Sequence, residues 1–116
     1  MMNADLLISV PYTWVLALSG VLLAIGILGV LLRRNAITIF LSLEIMLNSG
    51  TLAFAAFAMH FAAIPGMEAT ALNGQMFIFF IIAIAAAEAA VGLALFIALH
   101  RLKGSIDVDR ANILRW

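Results

Sequence analysis

The chain has 116 residues, 66% apolar and 10% charged, with no cysteine and six basic residues balancing six acidic ones. A soluble domain is roughly 45–50% apolar and about 25% charged, and disordered chains are poor in hydrophobic residues, so both are excluded and an integral membrane protein remains. A basic nucleic-acid-binding face is excluded too, as are disulfide scaffolds, thiolate metal sites and redox thiols, since cysteine is absent.

The first apolar stretch runs from Leu6 to Leu32 without a charge and is densest from Thr13 onward. A bilayer core about 30 Å thick takes roughly 20 apolar residues in a helix, so a first span is predicted over about 11–32. It does not read as a signal peptide: no basic segment precedes it, Asp5 does, and the run is too long. Arg33-Arg34-Asn35 is a tight turn, which makes the first two spans an antiparallel hairpin. The second span, about 36–60, holds one charge, Glu44. The connection from about His60 to Gln75 contains Pro65-Gly66 and Asn73-Gly74, dipeptides that mark turns. Between them, Met67 to Leu72 is expected as a short surface turn of helix. The third span, about 75–100, also holds one charge, Glu88. From His100 the tail is short and polar, expected along the membrane surface or on a partner. The chain therefore reads as one integral membrane domain, 1–116, all-α, with three transmembrane helices.

Three spans put the first loop and the C-terminus on the same side. Arg33 and Arg34 lie in that loop, and Arg101, Lys103, Arg110 and Arg115 in that tail, so every Lys and Arg falls on one side. The positive-inside rule makes that side cytoplasmic. The N-terminus and the Pro65 loop then face outward, carrying Asp5 and Glu68.

Glu44 and Glu88 are the costly residues. Glu44 lies ~12 Å from the cytoplasmic end of its span and Glu88 ~16 Å from that end of its own, at about 1.5 Å per residue. Both are near the midplane at similar depth. An ionisable group there costs roughly 2.5–3.5 kcal/mol on insertion scales, and such groups mark ion or proton paths. Desolvation disfavours the charged form of a carboxyl, and a carboxyl poised between its two forms passes a proton from one neighbour to another. Asn48 and Thr51 follow Glu44 on the same helical face and give it a polar stripe. Glu88 sits in Ala85-Ala86-Ala87-Glu88-Ala89-Ala90-Val91-Gly92, small residues that let helices approach closely, and this packing is expected to keep it from lipid. Packed helices lie about 8–10 Å apart, so the two side chains are expected to communicate through one or a few waters. The plainer alternative is that each acid is a protonated packing element or the assembly partner of a lysine on another subunit. No Lys, Arg or His lies inside a span, so any counter-charge comes from elsewhere, which implies a larger assembly.

Other features carry less. His60 and His100 sit at opposite membrane ends and cannot share a metal, and His60 reads as interfacial. Arg33 and Arg34 read as topology anchors, or as a cytoplasmic funnel that shapes proton entry. Gly20-x-x-x-Ala24 and Gly26-x-x-Gly29 are common small-residue packing spacings, and Met76, Phe77, Phe79 and Phe80 read as lipid or interfacial contacts. The chain holds no phosphate loop, nucleophile constellation, haem or Fe–S ligand set, so alone it has no redox chemistry.

Leu43-Glu44-Ile45-Met46-Leu47-Asn48 and Ala85-Ala86-Ala87-Glu88-Ala89-Ala90-Val91-Gly92-Leu93-Ala94, with the Arg33-Arg34-Asn35 turn, resemble the subunit K family (NuoK family) of proton-pumping NADH:quinone oxidoreductase, respiratory complex I. The resemblance runs from about Gly20 to Leu102. It implies that Glu44 and Glu88 belong to a central hydrophilic axis and relay protons between quinone-proximal small subunits and antiporter-like subunits. It also associates Arg33 and Arg34 with activity on the cytoplasmic side. It makes the chain a non-redox subunit of an enzyme with FMN and Fe–S clusters on other subunits, and the continuous basic C-terminal side suits a bacterial cytoplasmic membrane. The outward loop, Phe61 to Gln75, is longer than in the shorter family members. One alternative is the small three-span component of Mrp-type Na+/H+ antiporters, which resembles the second span but lacks an acid matching Glu88. Another is a purely structural assembly subunit. An ATP-synthase proteolipid is a two-span hairpin with one acid and fits less well.

Overall fold

The computed structural model describes residues 10–104 and 107–110. Asp5 and Arg115, which entered the charge count, and the start of the first apolar stretch lie outside the described residues. Three helices follow in order, α1 (Tyr12–Leu32), α2 (Ala36–Ala62) and α3 (Glu68–Lys103), then a short 3-10 turn over Val108–Arg110. All three are long and apolar enough to cross a membrane, and among the described residues there is no strand. The protein is an all-α, three-span, multi-pass membrane protein.

The helix ends follow from local chemistry. Pro11 directly precedes α1, and Arg33 ends it by adopting extended backbone (φ −113°, ψ 142°). Asn35 stays extended and its side-chain oxygen accepts from the N–H groups of Ile37 (2.9 Å) and Thr38 (3.3 Å). Those are orphan donors of a first helical turn, so Asn35 caps α2. The reversal is tight and α1 packs antiparallel on α2, as the hairpin expectation requires.

The second connection departs from expectation. It spans only Ala63 to Met67, and α3 starts at Glu68 rather than near residue 75. Met67 N–H bonds to Ile64 O at 3.1 Å across Pro65-Gly66, and Gly66 has φ +85°. Pro followed by a glycine at positive φ is the signature of a type II turn, which completes the reversal alone. Met67 to Leu72 is thus the entry to α3, not a separate surface turn, and Asn73-Gly74 does not turn at all. Gly74 lies against α2 instead, where an added Cβ would stand 3.3 Å from Ala58 Cβ.

Packing inverts the pattern of a soluble protein. The buried described residues are Ala56, Ala58, Ala71, Ser19, Ser42, Ser49, Gly26 and Gly92, all of them small. Large apolar side chains such as Trp14, Leu31, Phe79 and Leu102 point outward. Without a hydrophobic drive between helices in lipid, association rests on close backbone approach through small residues. On α1 the half-buried and buried stripe is Tyr12, Val15, Ser19, Leu22, Gly26 and Gly29. On α3 it is Ile78, Ile81, Ala85, Ala89, Gly92, Phe96 and Leu99. α2 lies between and packs against both.

The buried hydroxyls are satisfied by backbone. Ser42 donates to Thr38 O at 2.8 Å and Ser49 to Met46 O at 2.6 Å within α2. Beyond α3, Val108 N–H bonds to Arg34 O at 3.0 Å, and Asp107 pairs with Asn35 as an antiparallel bridge. Asp107 and Val108 therefore lie on the α1–α2 turn.

Candidate functional site

Three contacts set the antiparallel register of α2 and α3. Gly74 lies on Ala58, the Phe77 ring stacks on Phe54 at 5.7 Å, and Gly92 lies on the Phe40 ring. Glu44 follows Phe40 by one helical turn, and Glu88 precedes Gly92 by one turn. The two carboxylates are therefore level, in the half of the bundle nearer the α1–α2 turn.

They do not share a cleft. Glu88 opens into a cleft of about 510 Å³ with Phe40, Leu43, Val91 and Leu95, and Glu44 is not on its wall. Ile37 lies two turns before Glu44 on the same face, and it lines a different cleft of about 420 Å³ with Leu93, Ile97, His100 and Arg101. Phe96 contributes to both clefts. Glu44 and Glu88 thus flank the α2–α3 contact on opposite sides.

Their environments differ as well. Glu44 is half-buried, and its Oε1 is buried with no hydrogen-bond partner. A buried acceptor left without a donor costs about 1–3 kcal/mol, so this oxygen calls for a donor that the described residues do not supply. Glu88 is exposed. Of the alanine-rich stretch, the side that packs within the chain is Ala85, Ala89 and Gly92, and Glu88 lies at its edge. Within the chain it faces outward. The spans contribute no Lys or Arg between Ala36 and Leu99.

The supporting residues are only partly assembled around Glu44. Asn48 is exposed on the same side. Thr51 is half-buried, and its hydroxyl donates to its own helix, to Leu47 O at 3.1 Å and Asn48 O at 2.9 Å. Its proton is committed, leaving an oxygen that can accept. Arg33 and Arg34 are exposed at the α1–α2 turn, and Arg34 Nη1 stands 3.5 Å from Asp109 Oδ2. At the other end of the hairpin the His60 ring meets Tyr12 at 4.4 Å, tilted by 38°. Sequence reasoning missed two groups. Asn35 as a cap was legible, since Asn just before an apolar run is a helix-start signal. Asp109 was legible only as an acid in a basic tail.

No cysteine is present, and among the described residues no cluster of three His, Cys, Asp or Glu is placed to hold a metal ion. The donor set does not fit an Fe–S cluster. What the arrangement offers chemically is one ionisable oxygen pair on each flank of a helix pair, at one depth.

Three apolar spans, with one acid on each of two packed helices at matching levels, define a small multi-pass membrane protein. Residues 14–116 match the family described as NADH-ubiquinone/plastoquinone oxidoreductase chain 4L. The chain is 48% identical over 107 residues to the NADH-quinone oxidoreductase subunit K of Leptospira biflexa, covering 92% of this chain and 93% of the relative. It is 48% identical over 101 residues to subunit K 2 of Geotalea uraniireducens (87% and 93% covered). It is 44% identical over 106 residues to subunit K of Acidobacterium capsulatum (91% and 98%). The chain belongs to the chain 4L/subunit K family, membrane subunits of the NADH-quinone oxidoreductase complex.

Proposed function

We infer that the chain relays protons sideways through the membrane arm of the complex, from a neighbouring subunit on one flank to a neighbour on the other. Glu44 and Glu88 alternate between protonated and charged forms, and the neighbours supply the lysines and waters that bias them. The observation that carries this reading is the placement of the two acids. They are level and on opposite flanks, and Glu44 Oε1 is buried without a donor of its own. A packing role alone gives no reason to keep an unsatisfied buried oxygen at such a cost. Asn48 and the accepting side of Thr51 serve as water-holding groups beside Glu44. Arg33 and Arg34 mark the cytoplasmic end, the N-terminus lies outside, and FMN and the Fe–S clusters reside on other subunits. Quinone-proximal and antiporter-like subunits are the flanking partners. The bacterial relatives favour a bacterial cytoplasmic membrane.

The test is Glu44→Gln, Glu88→Gln and the double substitution in the assembled complex. Gln keeps hydrogen bonding and removes the titrating proton. The relay predicts normal assembly with NADH-driven proton pumping reduced in each single variant and lost in the double. Full pumping in all three overturns the relay and leaves an assembly role for the acids.

A further inference from the structure

We propose that the C-terminal tail is a strap that holds the cytoplasmic half of α3 against α2, with Asp109 as its positioning residue. The strap begins where α3 ends. Gly104, at φ +65°, closes the helix by donating its N–H to His100 O at 2.8 Å. A left-handed residue at this position is the usual way a helix stops, and it sends the chain back toward the α1–α2 turn. Three contacts then land on two successive residues of that turn. Asp107 pairs with Asn35 as an antiparallel bridge, Val108 N–H bonds to Arg34 O at 3.0 Å, and Asp109 reaches the Arg34 guanidinium at 3.5 Å. Asn35 is also the cap of α2. The strap therefore fastens the end of α3 to the start of α2.

The location gives the strap its purpose. At the outer end α2 and α3 are joined by the short connection Ala63–Met67. α3 has 36 residues, which is ~54 Å at about 1.5 Å per residue. A helix of that length fastened at one end splays at the other. Its contact face in the half nearer the α1–α2 turn is Ala85, Ala89, Gly92 and Phe96, with the Phe40 ring against Gly92 and edge-on to Phe96 at 5.4 Å, and beyond Phe40 the strap supplies a further attachment. Glu44 and Glu88 both lie in that half. The strap thus adds to the register contacts in holding Glu88 beside α2, a consequence whose value to activity rests on the relay reading above. It also divides the arginine pair. Arg34 is engaged by the tail, while Arg33 forms no ion pair among the described residues and stays available to a partner.

The side chains of Arg34 and Asp109 are 84% and 66% exposed, so their attraction is modest and the backbone contacts share the load. The experiment uses the complete complex. Three forms of the chain are compared with the parent: a stop after Gly104, Asp109→Arg, and the exchange Arg34→Asp with Asp109→Arg. The chain has no cysteine, so Leu43→Cys and Val91→Cys, on opposite walls of the Glu88 cleft, give a specific thiol cross-link that reports helix spacing. Cross-link yield and NADH-driven pumping should each fall about threefold in Asp109→Arg, the size an exposed pair sustains, and recover in the exchange. The truncated chain should lose more. If truncation prevents assembly, Asp109→Arg and its exchange carry the test. A yield indifferent to Asp109→Arg, or a fall that the exchange does not rescue, overturns the strap. A fall in yield alongside fully active Glu44→Gln and Glu88→Gln variants keeps the strap and removes the relay.

Discussion

The Ser19 hydroxyl donates to the backbone carbonyl of Ser49 at 2.7 Å, bridging α1 and α2 from a buried position. The bond has a geometric condition: two serines stand where larger side chains would part the helices. Its energetic worth is limited. Side-chain hydrogen bonds between membrane helices average about 0.6 kcal/mol, because the separated helices also find partners. Ser19→Ala is therefore expected to weaken the hairpin by about that much, while Ser19→Leu costs more by overpacking. Loss of helicity during SDS titration of the purified chain measures both. A Ser19→Ala effect as large as that of Ser19→Leu would mean that the bond, not the space, holds the helices.

The glycines of α1 separate by the same criterion. A Cβ on Gly26 would lie 2.9 Å from Ser42 O and press on Met46 Cγ, and one on Gly29 would press on the Ser42 hydroxyl. Gly20 has nothing within 4 Å. Backbone cannot yield as a flexible side chain can, so Gly26→Ala is expected to cost about 1–3 kcal/mol. Gly20→Ala should instead gain a few tenths, since alanine is the better helix former by roughly 0.5–1 kcal/mol. Opposite signs in one SDS titration series are the expected result. Equal effects would put Gly20 on a packed surface.

Much of this was legible in the sequence, and the misses share a cause. Span number, the Arg33–Asn35 hairpin and the matched level of Glu44 and Glu88 follow from apolar run lengths and helical rise, which are local quantities. The same is true of the Pro65-Gly66 turn. Asn73-Gly74 misled because a dipeptide that favours turns also supplies the smallest side chain for a close helix contact, and Ala58 is that contact. Glu88 shows a second limit of local reading. An alanine-rich stretch announces packing but not which of its faces packs, and Glu88 sits one step off the face formed by Ala85, Ala89 and Gly92. The tail contacts are long-range and carried partly by backbone, so composition alone gave no sign of them.

Asn35 has two roles that substitution can part. Its side chain caps α2 through Ile37 and Thr38, and its backbone faces Asp107 in the tail bridge. Asn35→Ala removes only the cap and is expected to cost about 1 kcal/mol. Asn35→Asp restores an acceptor at a helix N-terminus, where negative charge is favoured, and should recover nearly all of it. Amide exchange at Ile37 and Thr38 is the direct readout. Fast exchange in Asn35→Ala with slow exchange in Asn35→Asp confirms the cap, and equal protection in both would show that solvent or the tail satisfies those donors.

The two membrane acids should respond differently to apolar replacement. Glu44 buries an oxygen without a donor, whereas Glu88 is exposed in its cleft. Glu44→Leu exchanges an unsatisfied buried acceptor for a side chain of similar volume. It should therefore stabilise the purified chain by up to about 1–3 kcal/mol, the usual cost of such an orphan. Glu88→Leu changes a group the chain does not cover and should leave SDS resistance nearly unchanged. In the assembled complex both are expected to lower NADH-driven pumping at least as far as the Gln variants do. A residue whose removal strengthens the fold and weakens the activity is held in place by function. If Glu44→Leu instead destabilises the purified chain, its carboxyl has a stabilising partner within this chain, and no neighbouring subunit is needed to complete the site.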